Sequence, residues 1–277
     1  MPAPPPGPPW DLPVVEAPLA FVDLEMTGLD ATKDRVVEVC IERWVGEARV
    51  SEVTSLVRPP DGVSGAAHVH GLDEAALADA PPFQALAGEV RRVLDGAALV
   101  AHAAAWDVAF LTAEMDRAGS PLPIPHYLDT LVLARRSFAL PSYSLDSLSA
   151  RFGIDRGRAH RAASDVRALR GVFALCLKEL RPVSVRDLWQ VRIAERRARE
   201  AIVTACVAAV EHALPVVVTY RAARKPPEPL TMVLTDVRTD LDPPRVMGYQ
   251  LPGRGRRELR ADRILRVDPS HEDGPSR

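Results

Sequence analysis

Cysteine is too sparse in this chain to build a framework. Cys40, Cys176 and Cys206 form an odd, scattered set with no CxxC spacing. That excludes a disulfide scaffold and a cysteine-based zinc site, and it makes a reducing cytoplasm the expected compartment. Long hydrophobic runs are also missing. The longest, from Ala201 to Val210, falls well short of the roughly 20 residues that cross a bilayer, and it is expected to be a buried helix. The opening MPAPPPGPPW lacks the basic start and apolar stretch of a signal peptide, so no membrane partner is expected. Aromatic residues are only 5% of the chain. Few side chains can therefore stack on a base, and Trp106, Phe110 and Tyr143 are candidates for that role or for the core.

What is present describes a globular protein. Of 277 residues, 47% are hydrophobic and 26% charged, enough for one large domain or two ordinary ones. The net charge of −2 conceals an asymmetry: residues 1–180 carry 17 Lys/Arg against 24 Asp/Glu, and residues 181–277 carry 18 against 13. An acidic first part suits a cluster of metal-binding carboxylates, and a basic second part suits a polyanion.

Residues 1–18 are dense in proline and are expected to form a flexible tail. From Leu19 the run LAFVDLEMTGL reads as a strand closed by a Thr–Gly turn. Strands over 35–45 and 48–57 follow, giving an antiparallel meander. Helices are expected over 73–80, 83–94, 104–118, 144–152 and 162–180, with short strands at 97–101 and 127–130. Strands first, then alternating helices and strands, predict an α/β domain with a mixed sheet over 19–180. A charged helical connector is expected over 181–200. Beyond Pro215 the runs VVVTY, LTMVLTDV, RVMGYQLP, RELRA and RILRVD alternate with Pro/Gly breaks. They predict a small β-barrel or sandwich over 201–270, the barrel being preferred, before a short tail at 271–277.

Three carboxylate elements stand out. Asp23 and Glu25 are two apart on a strand, so both project from one face, where burial is costly unless something neutralises them. Asp107, in AHAAAWDVAFL, falls in the first turn of a helix. In HRAASDV, His160 precedes Asp165 by five residues, which lets the histidine sit on an approach loop while Asp165 points inward from the helix start. Each alone is ordinary: an acidic strand face, a helix-dipole aspartate, a surface histidine. Together they predict a centre for two Mg²⁺ or Mn²⁺ ions performing phosphodiester hydrolysis, with His160 placed to take a proton at neutral pH.

These residues resemble a known family. FVDLEMTGLD, AHAAAWDVAFL and YSLDSLSARFGI…HRAASDV look like the three motifs of the DEDDh 3′→5′ exonucleases, a family that includes polymerase-proofreading subunits, RNase T and oligoribonuclease. The resemblance implies a ribonuclease H-like fold over 19–180. It also implies two metals on Asp23, Glu25, Asp107 and Asp165, with His160 as general base. Thr27 and His70 (within VHGLDE) then fall where the 3′-terminal nucleotide would be touched, and Phe110, an aromatic candidate for stacking on a base, is expected beside them as a substrate contact. The second motif departs from the usual His-Asn, because Ala103 stands in place of the asparagine. DNA is the favoured substrate, RNA or a short oligonucleotide the alternative, and a polymerase or repair protein an expected partner. Readings of another class are a nucleic-acid-binding regulator and a non-catalytic polymerase accessory subunit.

The C-terminal part resembles a WYL domain, an Sm/SH3-like barrel, through VVVTYRA, RVMGYQL and LRADRILRV. Pro244-Arg245-Val246 replaces the naming triplet, while Arg260 and Arg263 remain as candidate anion contacts.

Overall fold

A computed structural model describes residues 3–155, 160–222, 225, 227–241 and 243–270. The chain divides into two compact units, Met1–Arg192 and Ile193–Arg277.

The first unit is built on a mixed five-stranded sheet of order β3-β2-β1-β4-β5. Strands β1 (Pro18–Met26), β2 (Val36–Val45) and β3 (Ala48–Leu56) form the expected antiparallel meander. Helices α1 (Ala67–His70), α2 (Glu74–Leu77) and α3 (Phe83–Leu94) lead to β4 (Ala98–Ala101), which runs parallel to β1. Helix α4 (Ala105–Arg117) returns to the two-residue β5 (Leu128–Asp129), parallel to β4. Three helices follow: α5 (Thr130–Ser137), α6 (Leu145–Phe152) and α7 (Ala162–Leu180). This is the α/β, ribonuclease H-like arrangement predicted above.

Both faces of the sheet are covered, which is why β1 reads as an almost unbroken apolar run. Ala20, Val22 and Leu24 join a core with Phe83, Val90 and Val93 of α3 and with Leu111 and Met115 of α4. The opposite face of β1 meets α7, where Phe21 packs edge-on against Phe173 with ring centroids 5.4 Å apart. Asp23 and Glu25 alternate with the core residues and so share the α7 side.

The proline-rich start is not a free tail. Trp10 and Val14 are buried, and His126 lies between the rings of Trp10 and Trp189. The backbone N–H groups of Val185 and Arg186 donate to the carbonyls of Leu12 and Trp10. Two apolar anchors within a proline-dense stretch suffice to dock it, and composition alone hides them.

Helix α4 begins in a strained turn. Ala103 has φ +60, a left-handed conformation that costs a side chain with Cβ about 1–2 kcal/mol. The Asp129 carboxylate braces it by accepting the Ala103 N–H at 3.0 Å and the Leu131 N–H at 2.9 Å. Asparagine tolerates this region far better than alanine, which explains what the usual His-Asn supplies there. Ala103→Gly is expected to raise stability by roughly 0.5–1 kcal/mol, the relieved strain less the added chain entropy. Chemical denaturation of the two proteins measures the difference.

The second unit begins within α8 (Val185–His212) and continues as β6 (Pro215–Tyr220), β7 (Glu228–Arg238), β8 (Arg245–Gln250), β9 (Gly255–Arg260) and β10 (Ile264–Pro269). All pairings are antiparallel in the order β10-β6-β7-β8-β9. Among the described residues these pairings form one five-stranded antiparallel sheet, with no ladder between β9 and β10. Its core gathers Val218, Met232, Leu234, Val246 and Ile264 with Cys206 of α8. Among the described residues no helix is long and apolar enough to cross a membrane.

Candidate active site

Strands β1, β4 and β5 run parallel, so their carboxyl ends lie along one edge of the sheet, the edge where open α/β sheets present ligands. Glu25 stands at that end, beside a register shift between Glu25 and Met26. Such a bulge re-aims the side chains next to it. Helices α4 and α5 both start from this edge, and the N-terminus of α7 brings Asp165 to the same place.

Among the described residues, Glu25, His160 and Asp165 form a group whose ligand atoms all lie within 4.8 Å of one another. Glu25 and Asp165 are buried and His160 is exposed. Asp23, half-buried on the same face of β1, stands outside that group. So does Asp107, whose carboxyl accepts a hydrogen bond from the Leu24 amide and is thereby tied to the backbone between Asp23 and Glu25. The donors are carboxylate oxygens and one imidazole nitrogen, a set suited to a hard divalent cation.

Burial pushes the Asp107 pKa from 3.8 up to about 8, with the charges of Asp129 and Glu25 adding to the rise. The folded chain therefore binds a proton that the unfolded chain has lost above about pH 4. Without divalent cation, this group's contribution to stability should fall as pH rises from about 4 to about 8. Thermal unfolding in chelator at pH 5 and pH 8 should show that loss, and Asp107→Asn should flatten it. Saturating Mg²⁺ should restore stability most at the higher pH.

Two further charged residues frame the cluster, and neither was singled out in the sequence. Glu38 pairs with Glu25 across the β1–β2 ladder and is almost fully buried. Arg161, immediately after His160, donates to the Glu38 carboxylate from Nε at 3.0 Å and Nη2 at 2.9 Å. Glu38 raises the Arg161 pKa further above its ordinary value. A lone acid inside the apolar run VVEVCI was the available signal, since it needs a buried partner.

The expected substrate contacts divide. His70 is buried; its Nδ1 accepts the Leu72 N–H at 3.1 Å, and the Ser64 backbone is a second hydrogen-bonding neighbour of the ring. Burial lowers its pKa, with the Ser64 backbone contact pulling the other way. Gly65 holds this segment close: a Cβ there would lie 2.2 Å from the Thr27 carbonyl oxygen. The Thr27 hydroxyl accepts the Arg35 N–H at 2.9 Å and donates to Asp34 at 3.4 Å, so it helps build the turn after β1. Phe110 is a correction. It has no exposed surface and belongs to the core, because α4 turns inward the face three residues beyond Asp107. The ring in the open is Trp106, 47% exposed beside Asp107. In the second unit, Arg260 forks onto Asp262 at 3.0 and 2.9 Å, so its guanidinium is already held by a carboxylate. The main-chain carbonyl of Arg263 accepts the Arg221 N–H.

A ribonuclease H-like sheet with buried carboxylates and a histidine at its strand ends defines the structural class. The chain belongs to the RNase_T exonuclease family, whose model matches residues 20–173. It is 31% identical to the DNA polymerase III subunit epsilon of Treponema pallidum over 54% of this chain and 72% of that protein. It is 27% identical to the PolC-type DNA polymerase III of Caldanaerobacter subterraneus subsp. tengcongensis over 64% of this chain, but over only 13% of that much longer protein. Among solved structures, E. coli exonuclease I in complex with a dA16 oligonucleotide matches 85% of this chain and 55% of that one. Its TM-score is 0.55 at 16% identity, a likeness of fold.

Proposed function

We propose that this chain is a divalent-metal-dependent 3′→5′ exonuclease that removes nucleoside monophosphates from the 3′ end of DNA. The observation that carries the reading is the convergence of Glu25, His160 and Asp165 within 4.8 Å. Asp107 stands beside them, tied to β1 through Leu24. Asp23, Glu25, Asp107 and Asp165 would hold two Mg²⁺ or Mn²⁺ ions. When bound, such ions offset the carboxylate repulsion, make the attacking water more acidic and stabilise the leaving oxygen. His160, exposed at the rim, accepts the proton of that water. The exposed face of Trp106 would orient the terminal nucleotide by stacking, while buried His70 would shape the wall behind it.

DNA is favoured because the epsilon and PolC-type relatives are parts of DNA polymerases and exonuclease I was solved with a DNA oligonucleotide. The same relatives make a DNA polymerase the partner to test by co-purification. The second unit is read as a WYL-like module adding grip on the strand, supported by its five-stranded sheet and the basic balance of residues 181–277. Removing residues 193–277 is expected to flatten the salt dependence of binding to long strands.

The deciding experiment digests 5′-labelled single-stranded DNA and matched RNA with Mg²⁺, Mn²⁺ or chelator, beside Asp23→Ala. A ladder shrinking from the 3′ end, abolished by chelator and by the substitution, is expected, with DNA cut faster. Faster cutting of RNA would reassign the substrate. No cutting of either by folded protein would point to a binding or accessory role.

A further inference from the structure

His160 is exposed, and its backbone lies in the left-handed region at φ +57. That conformation costs roughly 1–2 kcal/mol for a residue with a Cβ, so adjoining structure must hold it. The next residue supplies the hold. Arg161 places Nε 3.0 Å and Nη2 2.9 Å from the two oxygens of Glu38. A two-point fork fixes direction as well as distance, which a single ammonium contact does not. Glu38 is a rigid anchor: its side chain is 4% exposed, and its backbone is locked opposite Glu25 in the β1–β2 ladder. The same carboxylate accepts the Ala162 N–H at 3.2 Å, one of the unpaired amides at the start of α7. The Arg161 carbonyl in turn accepts the N–H groups of Ser164 and Asp165. Strand β2, the histidine and the first turn of α7 are thus joined through one ion pair.

We propose that Arg161, through its fork with Glu38, is the positioning residue that holds His160 against Glu25 and Asp165. The proposal rests on the reading of His160 as the proton acceptor. Arg161 does not touch the reacting atoms; it sets where the neighbouring imidazole stands. Loss of the fork releases His160 while leaving the metal-binding carboxylates in place, so turnover suffers and substrate affinity does not.

The test measures kcat, KM and the Mg²⁺ concentration for half-maximal rate on single-stranded DNA for the unmodified chain, Arg161→Ala, Arg161→Lys, His160→Ala and the double variant Arg161→Ala/His160→Ala. Arg161→Ala should lower kcat by about 10- to 100-fold, the scale of a catalytic group misplaced by about an ångström. KM and the Mg²⁺ requirement should stay within about two-fold, and Arg161→Lys should recover only part of the loss because it keeps the charge without the fork. The double variant should be no slower than His160→Ala, since two residues acting through one step do not add. If Arg161→Ala fails to fold, Arg161→Lys alone and combined with His160→Ala carries the same comparison. Additive losses, or a kcat unchanged by loss of the arginine while His160→Ala is slow, would overturn the role of Arg161 alone. A kcat unchanged in His160→Ala would overturn both the base and its positioning.

Discussion

Asp165→Ala is expected to slow cleavage of a 3′ end by about two to three orders of magnitude, the scale for removing a group that stabilises charge in the transition state. The chain should nevertheless remain folded. Asp165 is buried and lies in the same group as Glu25 and His160, so it contributes a negative charge to a place already rich in negative charge. Its removal deletes one of the proposed metal ligands and relieves repulsion in the metal-free protein at the same time. The expected signature is therefore paired: activity down by that factor, and thermal stability in chelator unchanged or raised. Added Mg²⁺ should stabilise the variant less than the unmodified chain, because binding to the folded state is the source of that gain. A variant that lost activity only because it unfolded would show neither feature, and circular dichroism beside the digestion separates the two cases.

His160→Ala should behave differently. Loss of a general base lowers the rate by roughly two to four orders of magnitude while the carboxylate set persists. Mg²⁺ stabilisation and DNA binding should both survive, and only turnover should fall. Raising the pH should recover part of the rate, since hydroxide from solvent is a nucleophile that already lacks the proton the imidazole would have taken. A His160→Ala protein with full activity would mean that the proton goes elsewhere, and Asp129 and Glu38 would then need examination as acceptors.

The sheet was legible because its strands obey simple patterning. The run LAFVDLEM is apolar except for two acids on one face, and β2 and β3 follow it with turn residues between. Helices α3 and α7 were readable to their ends, and Ser144 caps α6 through the Ser147 N–H, as its position before an apolar run suggests. Other parts carry no local signal. Helix α1 is four residues long, with Ala66 at its start and no side-chain cap; the fit of Gly65 against Thr27 determines its place. The docking of Trp10 is likewise a tertiary fact inside a proline-rich stretch. Within the site, the acid spacings drew attention to Asp23, Glu25, Asp107 and Asp165. Glu38 and Arg161 are 123 positions apart, and their pairing requires the fold. Phe110 was misjudged because both Trp106 and Phe110 lie near Asp107 in sequence, and only the helix phase separates surface from core.

Two of the proposed metal ligands stand on the opening turns of helices. Asp107 lies in the first turn of α4, behind the strained residue Ala103, and Asp165 lies in the first turn of α7. Opening turns lack part of their backbone pairing, and these two are held instead by single side chains, Asp129 beneath α4 and Glu38 beneath α7, whose loss would free them before the sheet opens. Heating should therefore silence the enzyme some degrees below the temperature at which the sheet melts, as fraying at two helix ends scatters the carboxylates while the molecule still looks native to far-ultraviolet circular dichroism. Cooling from that interval should return full activity at once, since no core has to be rebuilt.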